Sequence, residues 1–335
     1  MSKKLKLADI AQLAEVSKST VSFVLNGHAE KHRINKETVA RVLRVVEEHN
    51  YSPSVYARAL KSKKTQTFGL VIPDLTNMGF ATIAKALEQL CLNAGYQLLI
   101  ASTDDDPLQE KKAVANLVER QVDGMMVASC LDSDDYYQSH IKDIPVVFFD
   151  RDLESERYSE ITTDAYDSTK AIVSALVKGV SECAFIGGQL SLSPSRERYQ
   201  GFVDAIQEGA LSLQPELVFN QDYQPQSGYE MMRSCVEHLG RLPAALFTGS
   251  YSLLEGVLRY LNEHKLMAAA AQQPMRLATF DNYSVLDCLP LQIDSIEQDC
   301  QQLAVKTFDC LQAVLSDESY KRKVVIPAHI RYRSG

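Results

Sequence analysis

Apolar positions along this chain follow two different periods, and the switch comes near residue 65. In the first part the spacing is helical. Leu7, Ile10, Ala11 and Ala14 recur at i, i+3, i+4 and i+7 and predict one apolar face of a first helix. Glu15 and Val16 make a turn, Ser17 supplies an oxygen suited to an N-cap, and a second helix is predicted from Lys18 to about Asn26. Gly27 stops it, because a residue without Cβ enters the left-handed region at little cost. Asn35 caps a third helix whose inner face is predicted to hold Val39, Val42, Leu43 and Val46. Three helices this short bury one small core, which leaves the second helix to present its outer, N-terminal residues.

A short fourth helix is predicted next. Pro53 ends the third helix and Ser54 can cap a new one of about two turns, a length that is marginal alone in water. Leu60 projects from it as an apolar wedge suited to prising open a base step in a minor groove, or else packs as part of an ordinary linker.

From Phe68 onward the pattern changes to short apolar runs separated by amphipathic stretches. Strands are predicted at Phe68–Ile72, Gln97–Ser102, Gly124–Ala128 and Val146–Phe149, then at Cys183–Ile186, Leu217–Phe219, Ala245–Thr248 and Leu277–Phe280. Between them lie helical segments such as Ile83–Leu92, Tyr199–Gln207 and Leu253–Asn262. Such alternation implies parallel sheets covered by helices on both faces. The count supports two units, roughly 67–162 and 164–290, followed by a strand at Leu291–Ile296, a helix at Gln298–Leu315 and a last strand at Val324–Tyr332. The alanine run in Met267–Pro274 reads as a surface loop.

Charge changes this picture by naming a partner. The whole chain carries −8, but residues 1–64 hold 13 Lys+Arg against 6 Asp+Glu, while the rest hold 22 against 37. A basic head on an acidic body is the footprint of a small module for double-stranded DNA joined to something else. On the second helix, Lys18 can donate to guanine, Ser19 can bond several base edges, and Phe23 can make apolar contact with a thymine methyl. Ser17, Thr20, Ser22 and Asn26 suit phosphates, as do His32 and Lys36; Lys18 can equally be a phosphate contact.

Seven cysteines with no C-x-x-C pair read as buried, reduced thiols. No apolar run reaches membrane-spanning length and the N-terminus is not a signal peptide, so a cytoplasmic protein with no membrane partner is expected. No phosphate-binding glycine loop, nucleophile elbow or metal-spaced His/Cys set is present. Neither a metal nor a cofactor is expected, and the chain is not expected to be an enzyme.

The motif Ala11-x-x-Ala14-x-Val16-Ser17-x-x-Thr20-Val21-Ser22 resembles the lac repressor/galactose repressor (LacI/GalR) family of bacterial regulators, and the similarity spans essentially the whole chain. Segments Arg120–Gly124, Phe149–Arg151, Leu192–Arg196, Ser227–Met231 and Leu254–Tyr260 are most similar to its fructose-responsive branch, above all repressors of sucrose operons. The resemblance implies a lambda-repressor-like all-α helix-turn-helix head, residues 1–52, and a hinge helix and linker, 53–65. The body, 66–335, would be periplasmic-binding-protein-like, with two doubly wound parallel-sheet lobes. Their extents would be about 66–162 with 293–321, and 163–292 with 322–335. It also implies that Ala57 and Leu60 enter the minor groove from paired hinge helices of a homodimer. Two departures stand out: Lys6 occupies the place of a capping Ser or Thr, and Phe23 that of a base-reading Arg.

Ligands of open α/β sheets bind at the carboxyl ends of strands. Asp150-Arg151, Asp281-Asn282, Gly249-Ser250, Pro73-Asp74, Asn77–Phe80, Ser102–Asp104 and Ser191–Arg198 fall there. Carboxylates and Arg around an aromatic wall suit a polyhydroxylated sugar. By resemblance, Asp150, Arg198 and Asp281 match effector-binding positions and Tyr223 an aromatic one that packs on the sugar; Ser250 falls where Asn is common. Arg151 and Arg196 add cations that could hold a phosphate, although Arg196 reads equally as a solvated surface charge. The implied function is a repressor of sucrose-utilisation genes relieved by D-fructose or fructose 1-phosphate. The alternative is a fructose- or sugar-phosphate-responsive dual regulator or activator of central carbon genes.

Overall fold

A computed structural model of the chain describes residues 5–51, 64–209, 211–272 and 275–334. Most of the expected hinge, including Ala57 and Leu60, lies outside these residues. The chain divides into two units between Thr65 and Gln66.

In the first unit, helices α1 (Leu7–Leu13), α2 (Lys18–Leu25) and α3 (Lys36–Glu48) enclose Ile10, Ala14, Val21 and Val42, all fully buried. The Ser17 hydroxyl accepts the Thr20 N–H at 3.0 Å and the Asn35 carbonyl oxygen accepts the Thr38 N–H at 2.7 Å, so both predicted caps form. Gly27 has φ +73 and closes α2. Lys6 provides no side-chain cap, but the Asp9 carboxylate accepts the Lys6 backbone N–H at 2.7 Å and satisfies that end of α1. Leu43 differs from expectation. It is exposed, and Val45 takes the inner position, because Val42, Val45 and Val46 stand at i, i+3 and i+4 on one face while Leu43 lies about 100° around from Val42.

The second unit holds two six-stranded sheets. The first lobe begins with β1 (Thr67–Ile72), α4 (Met78–Asn93), β2 (Gln97–Ser102), α5 (Pro107–Glu119), β3 (Gly124–Val127), α6 (Asp135–His140), β4 (Val146–Phe149) and β5 (Ser159–Thr163). The chain then crosses to α7 (Tyr166–Leu176), β6 (Cys183–Gly187), α8 (Ser193–Glu208), β7 (Val218–Asn220), α9 (Pro225–Leu239), β8 (Ala245–Thr248), α10 (Tyr251–Glu263), α11 (Met267–Gln272), β9 (Arg276–Phe280) and β10 (Ile293–Glu297). Helix α12 (Cys300–Ser316) and β11 (Lys323–Ile326) return to the first lobe, and β12 (His329–Arg331) ends in the second. Sheet orders are β11-β5-β4-β3-β1-β2 and β12-β10-β9-β8-β6-β7, parallel except for β12 against β10. The central strands are buried end to end, as strands covered on both faces must be.

Three expectations are corrected here. The lobe extents differ: β10 pairs with β9 in the second sheet rather than joining the first, and β11 pairs with β5 in the first rather than the second. The predicted single strand Val324–Tyr332 is two strands in two sheets, separated at Pro327, which cannot donate to a ladder. The alanine run forms helix α11, in keeping with alanine's helix propensity. Helices α9 and α10 approach closely through Gly228 and Gly256; a Cβ on Gly256 would lie 2.0 Å from the Pro225 carbonyl oxygen. That contact sets the starts of both helices beside the cleft between the lobes.

Candidate functional site: a cleft between the two lobes

Loops at the carboxyl ends of strands from both sheets meet at a cleft of about 750 Å³ that opens in part to solvent. Six of the seven predicted effector residues line it: Asp150, Arg151, Arg198, Tyr223, Ser250 and Asp281. They come from separate segments of both lobes, so the convergence is a product of the fold.

Asp150 and Asp281 occupy equivalent places, directly after β4 and β9, and both have left-handed backbone, with φ of 63° and 74°. Residues other than glycine hold this conformation mainly in turns and at functional sites, and Asp tolerates it better than most. The Asp281 carboxylate accepts from the Gln298 side-chain amide at 2.6 Å and faces the Tyr251 N–H at 3.4 Å. The Asp150 carboxylate stands 3.8 Å from Arg151 Nε. Burial pushes the Asp150 carboxyl above the usual carboxylate range, against the pull of Arg151 and Arg198.

Arg198 is buried. Its guanidinium lies over the Phe280 ring at 3.6 Å and donates to the Gly249 carbonyl at 2.6 Å, while Nε has no partner. The Tyr223 hydroxyl is 2.7 Å from Ser195 Oγ and 3.5 Å from Arg198 Nη1. Its ring fits against the bare backbone of Gly188, where a Cβ would lie 2.2 Å from it. Ser250 lines the cleft, but its hydroxyl caps α10 by accepting the Leu253 N–H at 3.2 Å.

Arg196 is corrected. It is exposed outside the cleft and donates to the Ser191 carbonyl at 2.6 Å. Residues 196 and 198 lie two apart on α8, about 200° around its axis, so both cannot face the same cleft. Arg151 lines the cleft, yet its charge is already engaged: Nη1 donates to Asp105 at 2.6 Å and to the Ser129 carbonyl at 3.3 Å. The sequence reading missed Asp105, Gln298, Gln224 and Ser252. Asp105, with φ +55, adjoins the Ser102–Asp104 segment that was considered, whereas Gln298 reaches the cleft only because the chain crosses between lobes there.

On the head, Lys18 and Ser19 are exposed on α2. Local bonds engage the others: Ser17 Oγ lies 2.8 Å from Thr20 Oγ1, and the Asn26 amide donates to the Ser22 carbonyl at 2.7 Å. Phe23 is half-buried, with one face stacked on the His32 ring at 3.5 Å, so that face is closed to DNA. The cysteines are all free thiols, but Cys288 is exposed, which corrects the expectation that all are buried. Cys300 borders the cleft carboxylates, and burial pushes its thiol up to about 12. No helix among the described residues is long and apolar enough to cross a membrane, and no His, Cys, Asp or Glu group among them could hold a metal.

Comparison with known proteins places these parts. Residues 6–54 match the family "Bacterial regulatory proteins, lacI family", and residues 68–305 match "Periplasmic binding protein domain". The chain is 43% identical over 318 residues to a sucrose operon repressor of Klebsiella pneumoniae, covering 95% of this chain and 94% of that one. It is 36% identical over 335 residues to a fructose operon regulatory protein of Vibrio cholerae, covering 98% and 99%. Among solved structures, the Cra transcriptional dual regulator of Pseudomonas putida in complex with fructose 1-phosphate is similar with TM-score 0.74 and 30% identity, covering 81% of this chain and 99% of that one.

Proposed function

The chain belongs to the lacI family of bacterial regulatory proteins, and on that premise we propose that it represses sucrose-utilisation genes as a homodimer and leaves its operator when D-fructose fills the cleft. The head contacts double-stranded DNA through Lys18, Ser19 and the neighbouring residues of α2, with the hinge residues Ala57 and Leu60 in the minor groove. Asp150 and Asp281 accept sugar hydroxyls, Arg198 donates to a ring or hydroxyl oxygen, and Tyr223 packs on the sugar face.

The observation that carries this reading is the charge of the cleft. Five aspartates line it (Asp74, Asp104, Asp105, Asp150 and Asp281) against two arginines, one of which is bound by Asp105. Acceptors in excess suit a neutral polyol. A phosphate dianion would meet like charge with only Arg198 uncommitted to a carboxylate, and Arg196 lies elsewhere. The resemblance to a regulator bound to fructose 1-phosphate makes the comparison informative. Calorimetric titration of the full chain tests it: D-fructose is expected to bind tighter than fructose 1-phosphate, and tighter binding of the phosphate overturns the charge argument.

The carboxylates of Asp150 and Asp281 are engaged by Arg151, Gln298 and Tyr251, so no poised acid–base pair is assigned and the cleft is taken as binding rather than catalytic, while membership of a DNA-binding regulator family supports a cytoplasmic location. Incubation with sucrose and chromatography of the products checks the first point. Two similar regulators are named for dual or activating roles, so a reporter carrying the operator, assayed with and without fructose, decides the sign of control.

A further inference from the structure

A buried carboxylate lies behind the cleft wall and touches none of the cleft. Glu110, on α5, is fully buried. Its Oε1 accepts from the Ser129 hydroxyl at 2.5 Å and the Tyr137 hydroxyl at 2.6 Å, and its Oε2 accepts the Cys130 N–H at 2.6 Å. No ion pair among the described residues involves it. Burying an anion without a cation is costly, and three donors are what make it tolerable. A glutamine would turn its amide N–H toward one of these donors, so the carboxylate is kept for the bonds it accepts, and their geometry needs a reason beyond packing.

The reason lies in what its donors hold. Ser129 follows β3, and its carbonyl accepts Arg151 Nη1 at 3.3 Å. The same nitrogen donates to Asp105 at 2.6 Å. Asp105 sits five residues before Glu110, in the left-handed turn that leads into α5. Glu110 therefore ties the exit of β3 to the helix whose entry loop carries Asp105. Both partners of Arg151 Nη1 thus sit on segments that Glu110 joins, and Arg151 Nε in turn stands beside Asp150 in the cleft.

We propose that Glu110 is a positioning residue for effector binding: it fixes the orientation of Arg151, and through it of Asp150, from behind the wall of the cleft. This rests on the reading of the cleft as a sugar site. The test uses the full chain with substitutions Glu110→Gln and Ser129→Ala, each alone and combined with Arg151→Ala. Ser129→Ala keeps the buried charge, the carbonyl and the Cys130 N–H bond but removes one of the three donors that hold the carboxylate, and it carries the test should Glu110→Gln fail to fold. Each single substitution is expected to weaken D-fructose binding about tenfold, the scale of losing one oriented hydrogen bond to a charged group. In the Arg151→Ala background each should change it less than twofold, because the group they act through is gone.

Hydrogen exchange of the sugar-free protein provides a readout independent of the ligand. Faster exchange confined to residues 103–106, 128–131 and 150–152 is expected in both single variants. Equal weakening with and without Arg151, or unchanged exchange in those loops, overturns the proposal. Should the wild type bind no fructose, the effector reading falls and the exchange pattern alone decides the role of Glu110.

Discussion

Arg198→Lys is the substitution that most sharply separates a binding arginine from a structural one. The change keeps the charge. It removes the planar contact over Phe280 at 3.6 Å and the fork that lets one nitrogen hold the Gly249 carbonyl while the others remain available. An oriented hydrogen bond to a charged group is worth ~1.5–3 kcal/mol, and a desolvated cation–π contact ~1–2 kcal/mol. Part of the stacking term belongs to the empty protein and cancels in binding, which leaves about 2–3 kcal/mol for the sugar complex, or roughly 30- to 150-fold in Kd. Calorimetry on wild type and variant measures it, with operator affinity in the absence of sugar as the control, expected to stay within twofold. A variant that binds D-fructose within threefold of wild type refutes the assignment of Arg198 to the ligand.

Other predictions follow from the same geometry. Arg196→Ala should leave sugar affinity unchanged by calorimetry, since among the described residues Arg196 bonds the Leu190 and Ser191 carbonyls, outside the cleft. The Arg241 guanidinium beside Glu182 holds that carboxyl down at about 2, against an ordinary 4.5. The depressed value means the pair stabilises the body fully above pH 4.5 and progressively less as pH falls toward 2. The full shift is worth ~3 kcal/mol, discounted to about 1–2 kcal/mol because the Arg241 side chain is half-exposed. Urea melts of wild type and Glu182→Gln should therefore differ at pH 7, with a gap that shrinks as pH falls below 4.5 and closes only as pH passes through about 2. Gly256→Ala places a Cβ 2.0 Å from the Pro225 carbonyl oxygen and should cost about 3 kcal/mol or more in a chemical melt of the body.

What could be read from the chain alone was local. The caps at Ser17 and Asn35 and the strands at Gln97–Ser102, Val146–Phe149 and Ala245–Thr248 carry their signal in a few adjacent residues. The strand Ser159–Thr163 escaped because its residues are Ser, Glu, Ile, Thr and Thr; Glu160 is buried there by donors from Leu153 and Ser155, which no pattern announces. The lobe membership of β10 and β11 is a matter of which distant strand each meets, and their own sequences suit either sheet. At the cleft, Asp150 and Asp281 were legible as polar residues after apolar strands. The choice between Arg196 and Arg198 required the phase of a helix whose start, at Ser193, had not been placed. Glu110 was invisible because a single acidic residue at the head of an amphipathic helix usually faces water.

The central claim is that a sugar in the cleft of the body loosens the grip of the separate head on DNA. Fluorescence anisotropy of a labelled operator titrated with the full chain, with and without saturating D-fructose, measures it directly. The account predicts operator affinity lower by roughly 5- to 150-fold with the sugar, the range of a coupling free energy of ~1–3 kcal/mol. Superimposable curves, from a protein shown by calorimetry to bind fructose, would contradict it.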